Sequence, residues 1–444
     1  MINKGLLPVT DWAEGLQFLG RYARTSRSGS DERLTQVERL ARTKAFFAEL
    51  GDPQDTLRVI HVAGTTGKGS TCTYIDALLR AHEFKTGLCL SPHAIDVRER
   101  FQVNGQLVPE ERAVQLLNEV INVLNKLEKK GGSLPGYGEL LRGVTFVLFA
   151  QEQVDYAVIE TGIGGRFDSS NVATRSDKVC VITKLGLDHV KTLGETIEKI
   201  ADQKIGIVHR GNWVVIGRQS LIKAKTLAMT AAEAGAEKIT CVEDSRYSSQ
   251  AVTFSEKMLV PYLRENAELA EVVCREIATR DGWMYRLPLV QEAVSRARLP
   301  LRFEIIHWKH KRLILDAAHN PQKMQGLADA MKEAFPDQLY AVACAFNPGT
   351  DVAGTAMPLL PSASKVACID FVAGEEAYQF RFLNPVEAAE CIVKKGTTKI
   401  APAILNEWPE VVAWIEALPE KLVVLTGSFH FVADARAKLL KQEG

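Results

Sequence analysis

The sequence predicts an α/β protein built from two doubly wound domains, and three observations support this. Short apolar runs alternate with longer amphipathic segments, which is typical of β-α-β units around a parallel sheet. The chain has 444 residues, more than one hydrophobic core usually holds. A helical pattern ends near Arg296, and Pro300 follows it as a breaker. We therefore expect domains at 1–298 and 299–444, the second being the smaller.

The individual elements follow from the same patterns. In the first domain, the apolar runs predict strands at 59–63, 86–91, 155–160, 178–183 and 213–217. Amphipathic segments between and beside them predict helices at 70–82, 109–130, 138–152 and 194–203. In the second domain, the expected strands lie at 303–308, 312–317, 339–345, 365–370 and 421–427, with a helix at 321–335.

Composition and charge exclude several classes of protein. Lys+Arg and Asp+Glu are equal at 54 each, so charge gives no support to a nucleic-acid or membrane-surface role. We see neither a signal peptide at the start nor an apolar run long enough to cross a bilayer. None of the eight cysteines forms a C-x-x-C pair, which favours reduced thiols. We expect a cytoplasmic monomer that acts on small molecules, without nucleic-acid or membrane partners.

The sharpest local signal is a glycine-rich segment between the first predicted strand and the helix that follows it. Its residues are Gly64, Thr65, Thr66, Gly67, Lys68, Gly69, Ser70 and Thr71. Glycines let backbone N–H groups converge on phosphate oxygens, and the helix N-terminus adds partial positive charge. Lys68 can bridge the outer phosphates, and the Ser70 hydroxyl can ligate Mg²⁺. The spacing differs from G-x-x-x-x-G-K-[ST], because Gly69 separates Lys68 from Ser70. By itself the loop predicts nucleotide binding but no reaction.

Further blocks occur in order along the chain: Ser91-Pro92-His93, Glu99-Arg100-Phe101 with Gly105, Glu160–Asn171, Leu187-Asp188-His189, Gln203–Ile207, Leu299–Glu304, Asp316–Pro321 and Gly427–His430. Together with the G-T-x-G-K-G-S-T loop they resemble the folylpolyglutamate/dihydrofolate synthase branch of the Mur ligase superfamily, over about residues 35–435. The resemblance implies an N-terminal P-loop-type ATP-binding domain and a Rossmann-like C-terminal domain. It also implies a ligase that activates a carboxylate as an acyl phosphate and adds L-glutamate to dihydropteroate or to folates.

The resemblance implies roles for metal-binding and catalytic residues. Ser70 and Glu160 would hold the Mg²⁺ that accompanies ATP, and Ser91, Glu160 and His189 would hold a second Mg²⁺ near the reacting centre. Oxygen ligands suit this cation. Lys204 matches the family lysine that CO₂ carbamylates, a modification that requires a neutral amine. Lys68, His189 and Lys204 are therefore the expected catalytic residues.

The resemblance also implies contacts to the nucleotide and to the acid substrate. The remaining ATP contacts are expected from Asn266, Arg302, Asp316 and His319. The expected contacts to the acid substrate are Glu139, Asp168 and Asn171.

The match departs from the family pattern mainly in segments expected to contact the substrate. Glu139 stands where the family has the acid of F-E-x-x-T, but here the segment reads Gly-Tyr-Gly-Glu-Leu-Leu-Arg. Thr66 replaces an asparagine, and Leu301 replaces a glycine. Two alternatives therefore remain open: a related Mur-type amide ligase with another acid or amino acid, and a nucleotide-binding protein without ligase turnover.

Overall fold

The structure, a computed structural model, describes residues 6–27, 34–188, 190–242, 260–373, 380–394 and 400–442. The chain forms two compact units, Met1–Ser255 with Leu263–Ala297, and Glu256–Tyr262 with Arg298–Gly444. Each unit contains one large sheet, of eight strands in the first and six in the second. The predicted α/β class with two sheets is confirmed. The assignment of 1–298 and 299–444 as Mur-type domains stays a prediction.

The first unit surrounds its sheet with helices. The strands are β1 (Val59–Ala63), β2 (Thr86–Cys89), β3 (Gln102–Val103), β4 (Gln106–Leu107), β5 (Tyr156–Glu160), β6 (Val179–Ile182), β7 (Trp213–Ile216) and β8 (Lys238–Cys241). The helices are α1 (Trp12–Arg27), α2 (Gln36–Glu49), α3 (Lys68–Ala81), α4 (Glu110–Lys129), α5 (Tyr137–Gln151), α6 (Val190–Leu193), α7 (Ile197–Ile205), α8 (Leu221–Glu233), α9 (Pro261–Asp281) and α10 (Leu287–Arg296).

The strand order of this sheet is β4-β3-β2-β5-β1-β6-β7-β8. The run from β2 to β8 is parallel, and β3 and β4 add an antiparallel hairpin at the β2 edge. β1 lies in the middle, with Val62 opposite Glu160 and Ala63 opposite Ile182. Every residue of β1 is buried, as expected for a strand whose two faces are both covered. The carboxyl ends of β2, β5, β1 and β6 therefore meet at one edge of the sheet.

Helices cover both faces of the first sheet. On one side, α1, α2, α4 and α5 bury a core that contains Phe46, Phe47 and Phe146. Further along the same face, α7 and α8 pack apolar side chains such as Ile205 and Leu227 against β6 and β7. Burial of this apolar surface is the main stabilising contribution to such a unit. The apolar packing covers the faces of the strands, whereas polar loops follow the ends of the strands.

The second unit has a mostly parallel sheet of order β15-β12-β11-β16-β10-β9. Its strands are β9 (Glu304–Trp308), β10 (Lys311–Leu315), β11 (Tyr340–Cys344), β12 (Ala363–Ile369), β15 (Ala403–Leu405) and β16 (Leu422–Thr426), and a small separate ribbon joins β13 (Val372–Ala373) to β14 (Phe380–Arg381). Its helices are α11 (Pro321–Ala334), α12 (Val352–Ala356), α13 (Pro385–Lys394), α14 (Trp408–Ala417) and α15 (Phe429–Gln442).

The predicted elements match the observed ones to within a few residues, with one difference in topology. The sequence pattern placed the runs 303–308 and 312–317 in a series of strands separated by helices. In the structure β9 and β10 form an antiparallel hairpin, with Trp308 opposite Lys311. A connection of two residues permits only this arrangement, because a parallel crossover needs a dozen residues or more. Within the described part of the chain, no helix is long and apolar enough to cross a membrane.

Candidate active site at the strand ends of the first unit

The glycine-rich loop joins β1 to α3 through two glycines with positive φ. Gly64 has a φ of +154° and Gly67 has a φ of +86°. Helix α3 starts at Lys68, and the amide of Thr71 donates to the Gly67 carbonyl as the first helical bond. The N–H groups of Lys68, Gly69 and Ser70 precede that bond, so they point outward as helix N-terminal donors do. This arrangement provides the donors that a phosphate group requires.

Lys184, which follows β6, fixes the first half of the loop. Its carbonyl oxygen accepts hydrogen bonds from the amides of Thr65 (3.0 Å) and Thr66 (3.2 Å). The Thr65 hydroxyl donates to the Gly186 carbonyl at 3.0 Å. The amides of both threonines are thus used within the protein. The sequence analysis missed Lys184 because a main-chain carbonyl leaves no signature in residue type.

Two lysine side chains converge on one carbonyl oxygen of the loop. The Lys204 ammonium, carried by α7, donates to the Gly64 carbonyl at 2.7 Å, and the Lys68 ammonium reaches the same oxygen at 3.3 Å. Lys204 is buried, with 3% of its surface exposed. Two cations on one oxygen repel each other, so the site favours a nearby negative charge.

Glu160 ends β5 beside this loop. Its carboxylate accepts a hydrogen bond from the Ser91 amide at 2.8 Å, which links the segments after β2 and β5. A Cβ built on Gly69 would lie 3.4 Å from a Glu160 carboxylate oxygen, so the start of α3 passes close to this group. Ser70, the next residue, is buried there. Glu160, Ser70 and Ser91 thus lie in one neighbourhood.

The donor set at this position fits a hard divalent cation. A buried carboxylate beside two serines, with an ammonium-bearing loop nearby, offers the oxygen ligands that Mg²⁺ prefers. Among the residues that the structure describes, no three His, Cys, Asp or Glu side chains gather around a common metal position. His189, the fourth predicted ligand, lies outside the described residues, so the two-metal arrangement stays a prediction.

Asn266 of α9 lies against the glycine-rich loop. A Cβ built on Gly67 would stand only 2.2 Å from the Asn266 side-chain oxygen. The structure therefore brings this predicted nucleotide contact to the loop, although 198 to 199 positions separate it from Lys68 and Gly67 in the sequence. The close approach also gives a reason for glycine at position 67, in addition to its positive φ.

The three predicted substrate contacts have their polar groups engaged inside the protein. The Glu139 carboxylate receives two hydrogen bonds from Arg42, at 2.8 and 2.9 Å, and caps the start of α5. Asp168 accepts from the amides of Gly162 and Ile163 at 3.0 and 3.2 Å. The Asn171 amide donates to two main-chain carbonyls at 2.9 and 3.0 Å. Asp168 and Asn171 shape the loop after β5, whereas Glu139 joins the start of α5 to α2. The contacts of all three to substrate stay a prediction.

The remaining predicted nucleotide contacts, Arg302, Asp316 and His319, belong to the second unit. The Asp316 carboxylate is buried, and burial raises its pKa even though the Tyr262 hydroxyl donates to it at 2.6 Å. His319 shares a 2.9 Å hydrogen bond with the Lys323 ammonium. The Arg302 guanidinium stacks 5.6 Å from the centre of the Phe429 ring. Their roles toward ATP stay predictions.

Large apolar side chains are exposed on the loops that follow the strands of the site. Ile95 comes after β2, Ile163 after β5, and Leu187 after β6, each with about half of its surface exposed. A fourth, Val190, begins α6 and is 39% exposed. Apolar groups at the mouth of a polar site suit a ligand whose body is apolar or aromatic.

The geometry defines a class of protein before any relative is considered. The site combines a parallel sheet, a glycine-rich loop at the central strand, a carboxylate at the neighbouring strand end and a buried helix lysine that reaches the loop. This combination is typical of nucleotide-dependent transfer enzymes.

Comparison with known proteins narrows this class to one family. No protein-family model matches the chain. The dihydrofolate synthase/folylpolyglutamate synthase of Bacillus subtilis is 28% identical over 430 residues, which cover 90% of this chain and 94% of the relative. The folylpolyglutamate synthase of Mycobacterium tuberculosis complexed with ADP and AMPPCP superposes with a TM-score of 0.77 at 25% identity, covering 90% of this chain and 95% of that one. Escherichia coli FolC in complex with DHPP and ADP gives a TM-score of 0.79 at 25% identity, covering 98% and 99%. Over nearly its whole length the chain is thus similar to folylpolyglutamate/dihydrofolate synthases, a family of the Mur ligase type.

The close approach of Gly64 to β6 generates a prediction about the loop. A Cβ at this position would lie 1.7 Å from the Thr183 hydroxyl and 3.1 Å from its amide nitrogen. We expect Gly64→Ala to weaken binding of a fluorescent ATP analogue by about tenfold or more, since a strained loop residue costs roughly 1–3 kcal/mol. Gly138→Ala in α5 is the matched control, because no atom lies within 4 Å of a Cβ there. Native affinity in Gly64→Ala would contradict the loop assignment.

Proposed function

We propose that the protein is an ATP-dependent ligase that adds L-glutamate to dihydropteroate or to folates. The observation that carries the proposal is the convergence of the phosphate-binding loop, the Glu160 carboxylate and Lys204 at one edge of the first sheet, in a chain similar to this family. The four exposed apolar side chains beside that edge support an acid substrate with an aromatic body.

The proposed reaction has two steps. A carboxylate oxygen of the acid attacks the γ-phosphorus of ATP, and ADP leaves. The amine of glutamate then attacks the acyl carbon, and inorganic phosphate leaves as the amide bond forms. Such chemistry depends on positioning and charge neutralisation. The amides at the start of α3 and the Lys68 ammonium would hold and neutralise the phosphates.

The metal requirement is part of the proposal. Ser70 and Glu160 would hold the cation that accompanies ATP, and Ser91, Glu160 and His189 would hold a second one. Mg²⁺ in these sites would supply charge neutralisation for the transferred phosphoryl group. Within the protein, the Ser91 amide orients the Glu160 carboxylate, and Asp168 holds the loop that follows β5. The eight cysteines are free thiols in the structure, which supports a cytoplasmic location.

Lys204 is proposed to carry a carbamate. Its nitrogen and that of Lys68 share the Gly64 carbonyl, so two ammonium groups would repel each other there. A carbamate keeps one N–H on the Lys204 nitrogen, which can still donate to Gly64. Its negative charge would attract Lys68 and a nearby cation instead of repelling them. The modification therefore resolves the charge conflict without breaking the observed hydrogen bond.

The ligase proposal is tested by amino-acid-dependent release of ADP from purified protein. We expect release only when L-glutamate and either dihydropteroate or a folate are both present, with a product that mass spectrometry shows to contain one added glutamate. Lys68→Ala should lower the rate by about 10²-fold or more, because a preorganised contact to the phosphates is lost. Lys225→Ala, at an exposed position of α8, should keep the rate.

Two outcomes of that assay would overturn the proposal. Release of ADP with a different acid or amino acid, but with none of the folate substrates, would indicate a related amide ligase. Binding of ATP without turnover for any acid would indicate a nucleotide-binding protein.

The carbamate is tested by carbon-13 NMR after addition of labelled bicarbonate. We expect a carbamate signal at mildly alkaline pH that disappears in acid, because carbamates form from the neutral amine and decompose on protonation. The signal should be absent from Lys204→Ala, and that variant should have low activity that acetate partly restores. A wild-type protein without a Lys204-dependent signal, together with full activity of Lys204→Ala, would refute the modification.

A further inference from the structure

Arg142 is a buried arginine next to the candidate site for which neither the motifs nor the proposed reaction provides a role. It lies in the first half of α5, and 7% of its side chain is exposed. In the sequence it stands three residues after Glu139, at the position of the threonine in the family's F-E-x-x-T. The arginine departs from that motif, and its surroundings indicate what it does.

The guanidinium of Arg142 joins the ends of two neighbouring strands. One terminal nitrogen contacts the sulfur of Cys89, the last residue of β2. The other donates to the main-chain carbonyl of Glu160, the last residue of β5, at 3.0 Å. The same nitrogen lies 3.9 Å from the Asp168 carboxylate. One rigid planar group thus contacts both strands and the loop after β5.

These two strand ends carry the residues expected to bind metal. Ser91 follows Cys89 by two residues, and its amide donates to the Glu160 carboxylate at 2.8 Å. Arg142 therefore holds the main chain of Glu160, while the Ser91 amide holds its side chain. The fork geometry of a guanidinium suits such a double contact, whereas a single ammonium can satisfy only part of it.

The burial of Arg142 is costly, which indicates that it serves more than packing. A buried charge requires compensation, which the Asp168 carboxylate at 3.9 Å and the Glu160 carboxylate provide, but removing the guanidinium from water still has a cost. The Arg142 Nε atom is buried and has no hydrogen-bond partner in the described structure. An apolar side chain of similar size would avoid both costs.

We propose that Arg142 is a positioning residue that fixes the Glu160 carboxylate next to Ser91, at the spacing a divalent cation needs. This inference rests on the proposed function in one respect, that a cation binds at Glu160. Removal of Arg142 has two effects of opposite sign on metal affinity. Loss of positive charge would strengthen cation binding, whereas loss of the link between β2 and β5 would weaken it. The inference states that the second effect dominates.

The test measures Mn²⁺ binding directly, by the EPR signal of free Mn²⁺ in the presence of a non-hydrolysable ATP analogue. We expect Arg142→Met and Arg142→Thr to raise the Kd for Mn²⁺ by about tenfold. Arg142→Lys keeps the charge but loses the fork, so its Kd should lie between those of the wild type and Arg142→Met. A melting curve for each variant shows whether it is folded. If Arg142→Met and Arg142→Thr are unfolded, Arg142→Lys alone provides the test.

Lys178→Met provides the matched control. Lys178 is another fully buried cation that donates to a main-chain carbonyl, that of Ala173, at 2.6 Å. It precedes β6, so it lies at the opposite end of the strands from the site. This variant should melt at a lower temperature while its Kd for Mn²⁺ stays within about twofold of the wild-type value.

The outcomes separate the inference from the proposed function. Unchanged or tighter Mn²⁺ binding in Arg142→Met and Arg142→Lys would overturn the positioning role, as would a wild-type protein that binds no Mn²⁺. Weaker binding in the Arg142 variants, together with a wild type that releases no ADP with any folate acid, would reject the ligase proposal and leave the role of Arg142 standing.

Discussion

The order of four parallel strands, β2-β5-β1-β6, determines where the phosphate-binding loop, Glu160 and Ser91 lie. Each strand is short and buried, so the polar residues that flank it lie at its ends. The loop after β1 carries the phosphate-binding glycines, the end of β5 carries Glu160, and the segment after β2 carries Ser91. Parallel pairing places these three ends side by side, although about 70 residues separate Ser91 from Glu160 along the chain.

Charge is the second constraint on the site. Lys68 and Lys204 converge on the Gly64 carbonyl, and Arg142 donates to the main-chain carbonyl of Glu160. These three cationic side chains lie near two carboxylates, those of Glu160 and Asp168. Phosphate groups, or a carbamate on Lys204, would add negative charge beside the two lysines. The electrostatics of the resting protein thus fit an anionic, nucleotide-type ligand, in agreement with the shape of the loop.

The sequence predicted the parts of this fold that depend on local pattern. Buried runs such as Val59–Ala63 alternate with amphipathic helices, and a glycine-rich loop after such a strand is specific enough to indicate a phosphate site. Local pattern could not predict pairing between distant residues. Glu139 matches a family acid, but only the structure shows that its carboxylate is paired with Arg42, 97 positions away. Lys184 acts through its main-chain carbonyl, which residue type does not reveal. Arg142 acts on the ends of β2 and β5, which are distant from it in the sequence or lie in another element.

The account depends on a cation at Glu160, and a crystal structure with Mn²⁺ and a non-hydrolysable ATP analogue tests this most directly. Anomalous scattering identifies Mn²⁺ independently of the protein model. We predict a peak at a coordination distance of about 2.0–2.6 Å from a Glu160 carboxylate oxygen, with the phosphates held by the amides at the start of α3. A peak bound only by the phosphates, with Glu160 turned away from it, would contradict the account.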